Sequence, residues 1–363
     1  LGLFISFISG VLLVLAVVAW GWGRLYRDEG GAAHRVTKNS LVLIALSLLN
    51  KLIDMAFAML MLRVLRPEGA GKYGFAIIFI GYFEILTRFG LGTLLTREVA
   101  RDKTQGGRYL ANAAVLRLAL WAGSLPLMGL ALALYWRLAG LSLDTAAAIG
   151  LFALALVPGG LADALSALFN AHEKMEYPAF VSTFTTLLKV SLGALVLLQG
   201  WGFVGLAGVS VASNLLSLAF LALFIRKAIG PLRPVYKPAD SRQMLATSYP
   251  LMLNHLLATI FFRSDVLLLK PLAGDIQVGW YTAAYKFIDG LNVVPAYFTM
   301  ALFPLVSRYA QEAKDSLRRA YAISLKLLFL LSLPIAVGTT FVAPQLIALL
   351  GGAEYLGEST LAL

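Results

Sequence analysis

Apolar stretches of about twenty residues follow one another along this chain, separated by short connections that hold most of its charge. A helix needs roughly 20 apolar residues to cross a bilayer core about 30 Å thick. Ten stretches meet that length, at residues 2–22, 41–62, 73–96, 109–136, 145–170, 179–199, 203–225, 246–269, 281–306 and 321–342, and an eleventh begins near Thr360. Turns between them are marked by punctuation such as Arg66-Pro67-Glu68-Gly69 and Gly230-Pro231-Leu232-Arg233-Pro234. Only 13% of the 363 residues are charged and 60% are hydrophobic, whereas soluble domains carry about 25% charged residues. So little charge cannot cover a soluble enzyme of this length, and the abundant aromatics exclude a disordered chain. The expected fold is an all-α polytopic membrane protein of about ten transmembrane helices.

The net charge of +11 is not the footprint of a nucleic-acid binder, because the basic residues sit between apolar stretches. Eighteen Lys and Arg lie in alternate connections, around residues 24–38, 97–108, 174, 226–242 and 308–319; five (Arg63, Arg66, Lys72, Arg137 and Lys270) lie in the others. The positive-inside rule assigns the first set to the cytoplasm. With no cysteine and three scattered histidines (His34, His172 and His255), no metal centre is expected. Cofactor motifs such as a GK[ST] phosphate loop are missing too. Stretch 2–22 has neither a basic lead-in nor a cleavage site, so it reads as an extra amino-terminal helix with a basic linker up to residue 36. The chain opens on Leu, so this helix is equally the last one of something longer upstream.

Seven bases fall within the apolar stretches: Lys51, Arg88, Arg117, Lys189, Arg263, Lys286 and Lys326. Five acids join them: Asp54, Glu84, Asp163, Asp265 and Asp289. A charge at the bilayer centre costs about 2.5–3.5 kcal/mol on insertion scales, so these groups must face protein, water or headgroups. Lys51/Asp54, Glu84/Arg88 and Lys286/Asp289 share helix faces and can neutralise locally. Arg263 and Asp265 point to nearly opposite faces, Lys189 has no acid nearby, and Arg117 and Lys326 lie near enough to the cytoplasmic end to snorkel. Two readings stand: interhelical pairing, or a water-filled cationic cavity lined by Lys51, Arg88, Lys189, Arg263 and Lys286. Such a cavity suits an anion carrying phosphate or carboxylate. Asp54, Glu84 and Asp289, each beside a base, are candidate ion-coupling groups. Tyr281, Tyr285 and Tyr297 either pack or face sugars. Pro158-Gly159-Gly160, Pro295 and Pro334 interrupt apolar stretches as hinges or static bends.

The segment Val278-Gly279-Trp280-Tyr281-Thr282-Ala283-Ala284-Tyr285-Lys286, followed by Ala301-Leu302-Phe303-Pro304-Leu305-Val306-Ser307, strongly resembles the oligosaccharide flippases. These belong to the multidrug/oligosaccharidyl-lipid/polysaccharide exporter superfamily. Phe262-Arg263-Ser264-Asp265 fits the family's seventh core helix, and Leu62–Leu65, Gly71–Gly74 and Thr96–Arg101 fit its first hairpin and the loop after it. The resemblance runs from about Thr37 to Leu363. It implies two six-helix bundles: 37–230 as the first, and 231–363 as an incomplete second with three helices and the start of a fourth. On this footing the chain is expected to be truncated at its carboxyl end. Segments 63–76 and 270–283 align at an offset of 207, as two related bundles would leave them.

What the resemblance implies is a transporter, not an enzyme. It would carry polyprenyl-pyrophosphate-linked oligosaccharide across the bacterial cytoplasmic (inner) membrane by alternating access, without a cofactor. Its partners would be membrane lipids and, along the pathway, a polysaccharide polymerase and glycosyltransferases. A drug exporter of the same superfamily is the alternative, although its site should be more acidic. A membrane polymerase or ligase would need a large extracytoplasmic loop, and the longest on that side is about a dozen residues.

Overall fold

The structure, a computed structural model, describes residues 32–232, 234–292 and 314–356, with a few residues between 295 and 309. The expected helix at 2–22, Tyr297 and the span starting near Thr360 lie outside the described residues. Among the described residues the regular elements are all helical, with no strand. They are α1 (Ala32–Arg88), α2 (Leu91–Arg101), α3 (Gly106–Ala139), α4 (Leu143–Ala171), α5 (Glu176–Leu198), α6 (Gly202–Ala228), α7 (Pro238–Ala273), α8 (Asp275–Leu291) and α9 (Lys314–Gly351). α1 is broken at Arg66, where φ 56° and ψ 176° leave the helix just before Pro67. Proline lacks an N–H and disfavours a helical residue before it, so two helical runs meet at the turn expected there.

Six helices among the described residues are long and apolar enough to cross a membrane: Leu49–Arg101, Lys103–Ala139, Leu143–Ala171, Glu176–Leu198, Gly202–Ala228 and Leu317–Gly351. The first takes in the expected span 73–96 and residues 49–62 of the expected span 41–62. α7 covers the expected span 246–269 as one helix. The chain is therefore a multi-pass helical membrane protein.

The chain divides into two compact units, the first made of residues up to Asp54 and Ala76–Ser264, the second of Met55–Phe75 and Asp265 onward. In the first unit α4 is the central helix and packs most extensively on α6, then on α2 and α3. Its buried face is rich in small residues, including Ala148, Ala153, Ala155, Gly160, Ala164 and Ala167. Small side chains let helix backbones approach closely where lipid offers no hydrophobic drive. Leu165, Leu168 and Phe169 then meet Leu91, Leu95 and Val99 of α2 in one buried cluster. The corner between α2 and α3 is set by Asp102, which accepts from the Thr104 hydroxyl (2.6 Å), the Gln105 amide (2.7 Å) and the Thr104 N–H (3.0 Å). Those bonds hold its carboxyl below the usual carboxylate range. Arg108 at the start of α3 clasps both oxygens of Asp240, at the start of α7, through the Nε–Nη2 edge of its guanidinium, and so holds the Asp240 carboxyl below its usual range in the same way.

In the second unit the residues after the Arg66 break lie against α8 without intervening side chains. A Cβ at Gly71 would sit 1.8 Å from the Asp275 carbonyl oxygen, and one at Gly279 would sit 1.9 Å from that of Pro67. One at Gly74 would meet Thr282 at 2.9 Å. These contacts are reciprocal when residue n is matched with n + 208: Pro67 with Asp275, Gly71 with Gly279, Gly74 with Thr282. The sequence offset of 207 thus becomes 208 at this seam, and the two repeats touch each other there. Lys270, counted above as a loop charge, is instead buried, ion-paired with Asp275 and 5.6 Å from the centre of the Phe75 ring. Tyr355 closes the unit by donating to the Leu62 carbonyl (3.1 Å), while Arg63 donates to that of Leu349 (2.7 Å).

The ends of these helices offer a direct check on sidedness. Reporter fusions at Gly106 and Gly230 are expected to read as cytoplasmic, and those at Gly140, Gly200 and Gly274 as extracytoplasmic. Finding Gly106 and Gly140 on one side would contradict the span assignment.

Candidate functional site

The site begins with a break that sequence periodicity does not show. The expected span 73–96 ends its first helix at Arg88, passes through Phe89 (φ 49°) and Gly90 (φ 70°), and restarts at Leu91. Gly90 suits both the left-handed backbone and the space, since a Cβ there would lie 2.8 Å from the Leu251 side chain. Two consequences follow for charge. Arg88 occupies the last turn of its helix, where a cation is favoured, and the amino end of α2 presents first-turn N–H groups without partners inside the helix.

Both ends open on a cleft of about 430 Å³ in the first unit. Glu84, Arg88, Gly90, Gly92 and Thr93 line it from this strand of sequence, Asp163, Ser166 and Asn170 from α4, and His255 from α7. The Arg88 Nη2 lies 2.7 Å from Glu84 Oε1, the local pair that their spacing predicts, and its Nη1 lies 3.5 Å from Asp163 Oδ1. The second Asp163 oxygen accepts from Arg117 Nη2 at 2.6 Å. Arg117 also donates through Nη1 to the Gly160 carbonyl, and its Nε is buried with no hydrogen-bond partner. Two guanidinium groups and two carboxylates thus form one neutral chain, Glu84–Arg88–Asp163–Arg117. Arg88 is 44% exposed and Arg117 only 4%.

Arg117 therefore does not snorkel, as its position near the cytoplasmic end suggests; it is buried and neutralised by Asp163. The pair joins α3 to α4 across 46 positions, which no spacing rule within one helix can show. One signal was present. Arg117 lies eight residues into its span and Asp163 seven from the end of the next, so two charges without local partners sit at one depth in successive spans.

Of the residues proposed to line a cationic cavity, only Arg88 lines this cleft. Lys51 and Asp54 are both exposed on α1 and, among the described residues, form no ion pair with each other, although their spacing permits one. Lys189 is exposed on α5, and Arg263 is half-buried on α7. Glu84 is in the cleft; Lys286 and Asp289, both half-buried on α8, belong to the second unit. In that unit Asp265 accepts hydrogen bonds from Tyr281 and from Tyr285 (3.0 Å). These bonds give Asp265 its partners and tie the tyrosine hydroxyls to the protein. A second, smaller cleft of about 280 Å³ is lined by Arg97, Arg101, Arg108 and Asp240, and each of these arginines is paired with Glu98 or Asp240.

The sequence profile described as polysaccharide biosynthesis protein matches residues 36–310. None of the curated proteins matches the sequence. Among solved structures the chain is similar to one described as the inward-facing conformation of a multidrug resistance MATE family transporter of the MOP superfamily, with TM-score 0.65 and 20% identity over 86% of this chain and 75% of that one. A second, described as MATE in the bent conformation, gives TM-score 0.45 and 19% identity over 85% and 76%. The first likeness shows the fold.

Proposed function

Because this chain belongs to the polysaccharide biosynthesis protein family, we propose that it is a flippase for polyprenyl-pyrophosphate-linked oligosaccharide in the bacterial cytoplasmic membrane. The observation that carries the reading is Arg88, placed at a helix break in the cleft wall beside the amino end of α2. An arginine fork and a helix amino terminus both favour an anion, and a pyrophosphate that crossed hydrocarbon without such a site would meet a prohibitive cost. Binding must also stay moderate so that the headgroup can leave on the far side. Pairing with Glu84 and Asp163 tempers Arg88 in that sense. Glycosyltransferases would supply the substrate, and a polymerase would take the product.

Complementation of a strain that lacks its flippase tests this. Arg88→Ala is expected to abolish most surface polysaccharide with the protein still in the membrane at normal level, and Lys286→Ala to do the same. Arg88→Lys should retain partial activity, because the charge stays while the fork is lost. Normal transport by both alanine variants would overturn the reading. The two carboxylates in the cleft favour a second one, an exporter of organic cations. That reading requires Glu84→Gln to abolish drug efflux while Arg88→Ala spares it.

A further inference from the structure

Resting on the flippase reading, we propose that Asp163 is a stand-in anion for Arg88 and that Arg117 is the positioning residue that takes it up when substrate arrives. Asp163 divides its two oxygens between two arginines. Oδ2 is held by Arg117 Nη2 at 2.6 Å, while Oδ1 lies 3.5 Å from Arg88 Nη1. The first contact is short and its arginine buried; the second is long and its arginine is 44% exposed to the cleft. The buried Nε of Arg117 is the donor that decides the matter. On a guanidinium, Nε and Nη2 share one edge, the edge that a carboxylate grips with both oxygens. Here that edge is half-used: Nη2 is bonded and Nε is buried with no partner. An unmade buried hydrogen bond is costly, and the group that would make it is the Asp163 oxygen now facing Arg88.

Arrival of a diphosphate on Arg88 resolves both deficits. The anion takes Arg88 from Asp163, Oδ1 turns onto Arg117 Nε, and the carboxylate becomes bidentate on a single arginine. Asp163 is paired at both stages, first with Arg88 and Arg117 together and then with Arg117 alone. When the diphosphate leaves, Oδ1 returns to Arg88, so the site is never an empty cation. Arg117 acts without touching substrate, and Glu84, 2.7 Å from Arg88 on the other side, competes for the same guanidinium.

The test is titration of geranylgeranyl diphosphate, and separately of inorganic pyrophosphate, into the full chain in nanodiscs, with geranylgeraniol as blank. Removing a competitor of Arg88 should tighten diphosphate binding by about two- to fivefold for Glu84→Gln, the range expected of a half-exposed ion pair. Asp163→Asn should tighten it by about three- to tenfold and slow turnover, since nothing then displaces the anion. Arg117→Lys keeps the charge but has no fork, so Asp163 stays on Arg88 and binding weakens, by about threefold. That weakening must vanish in the Asp163→Asn background, a non-additivity that a merely structural arginine would not give. If Arg117→Lys weakens binding equally with and without Asp163, the proposal is overturned. If Arg117→Lys does not reach the membrane, Asp163→Asn carries the test, and unchanged or weaker binding overturns it. Failure of the flippase reading looks different: the wild-type protein binds neither diphosphate, or Arg88→Ala leaves binding intact.

Discussion

Replacing Gly279 with alanine is expected to remove most of the folded protein from the membrane. Its new methyl would lie 1.9 Å from the Pro67 carbonyl oxygen and 2.7 Å from the carbonyl carbon. Both are backbone atoms, so no side chain can swing aside and the two segments must part. Overpacking of this kind costs about 1–3 kcal/mol, and more where the backbone itself has to move. Gly71→Ala meets the same obstacle from the other side, 1.8 Å from the Asp275 carbonyl oxygen, and should behave alike. Gly81→Ala is the control: nothing lies within 4 Å of its Cβ, and alanine is the better helix former. Detergent-solubilised protein heated before size exclusion should show a melting midpoint lowered by about 5 °C or more for the seam variants. Gly81→Ala should match wild type or exceed it. Wild-type melting in Gly279→Ala would mean that the segments do not approach so closely.

Arg117→Met is the second variant with a large expected effect. Taking one partner from a buried ion pair costs about 3–5 kcal/mol, because the other charge remains without compensation. Here the Gly160 carbonyl also loses its donor. Arg88 softens the loss by staying 3.5 Å from Asp163. The same change at Arg88, which is 44% exposed, should cost far less stability while abolishing transport. Adding Asp163→Asn to Arg117→Met should recover much of the lost stability, since neutral replacement of a whole pair is often tolerated. If the double variant melts no higher than Arg117→Met, the loss lies in packing rather than in the orphaned charge.

What the sequence disclosed and what it hid follow from the range of each interaction. Apolar length gives the spans, and Arg66-Pro67 gives a turn, because both depend on neighbouring residues alone. Glu84 and Arg88 were legible as a pair for the same reason, being one helical turn apart. The break at Phe89–Gly90 was not, since it falls inside the expected span 73–96, whose mean hydropathy is indifferent to backbone direction. Arg117 and Asp163 were individually conspicuous, but their meeting depends on how α3 and α4 pack. Lys51 and Asp54 make the opposite point, for a spacing that permits an ion pair does not require one. The likeness between 63–76 and 270–283 was visible as sequence, whereas their contact required the fold.

The Gly71–Gly279 seam has the form of a dimer interface enclosed within one polypeptide. In a symmetric pair of identical subunits every residue on the axis meets its own copy, so a substitution is introduced twice and must fit itself. A chain that carries both halves is released from that condition. Gly74 opposite Thr282 uses the release. A methyl on Gly74 would already lie 2.9 Å from the Thr282 methyl, so threonine on both sides would collide. The Gly–Thr combination is one that no homodimer of this half could encode.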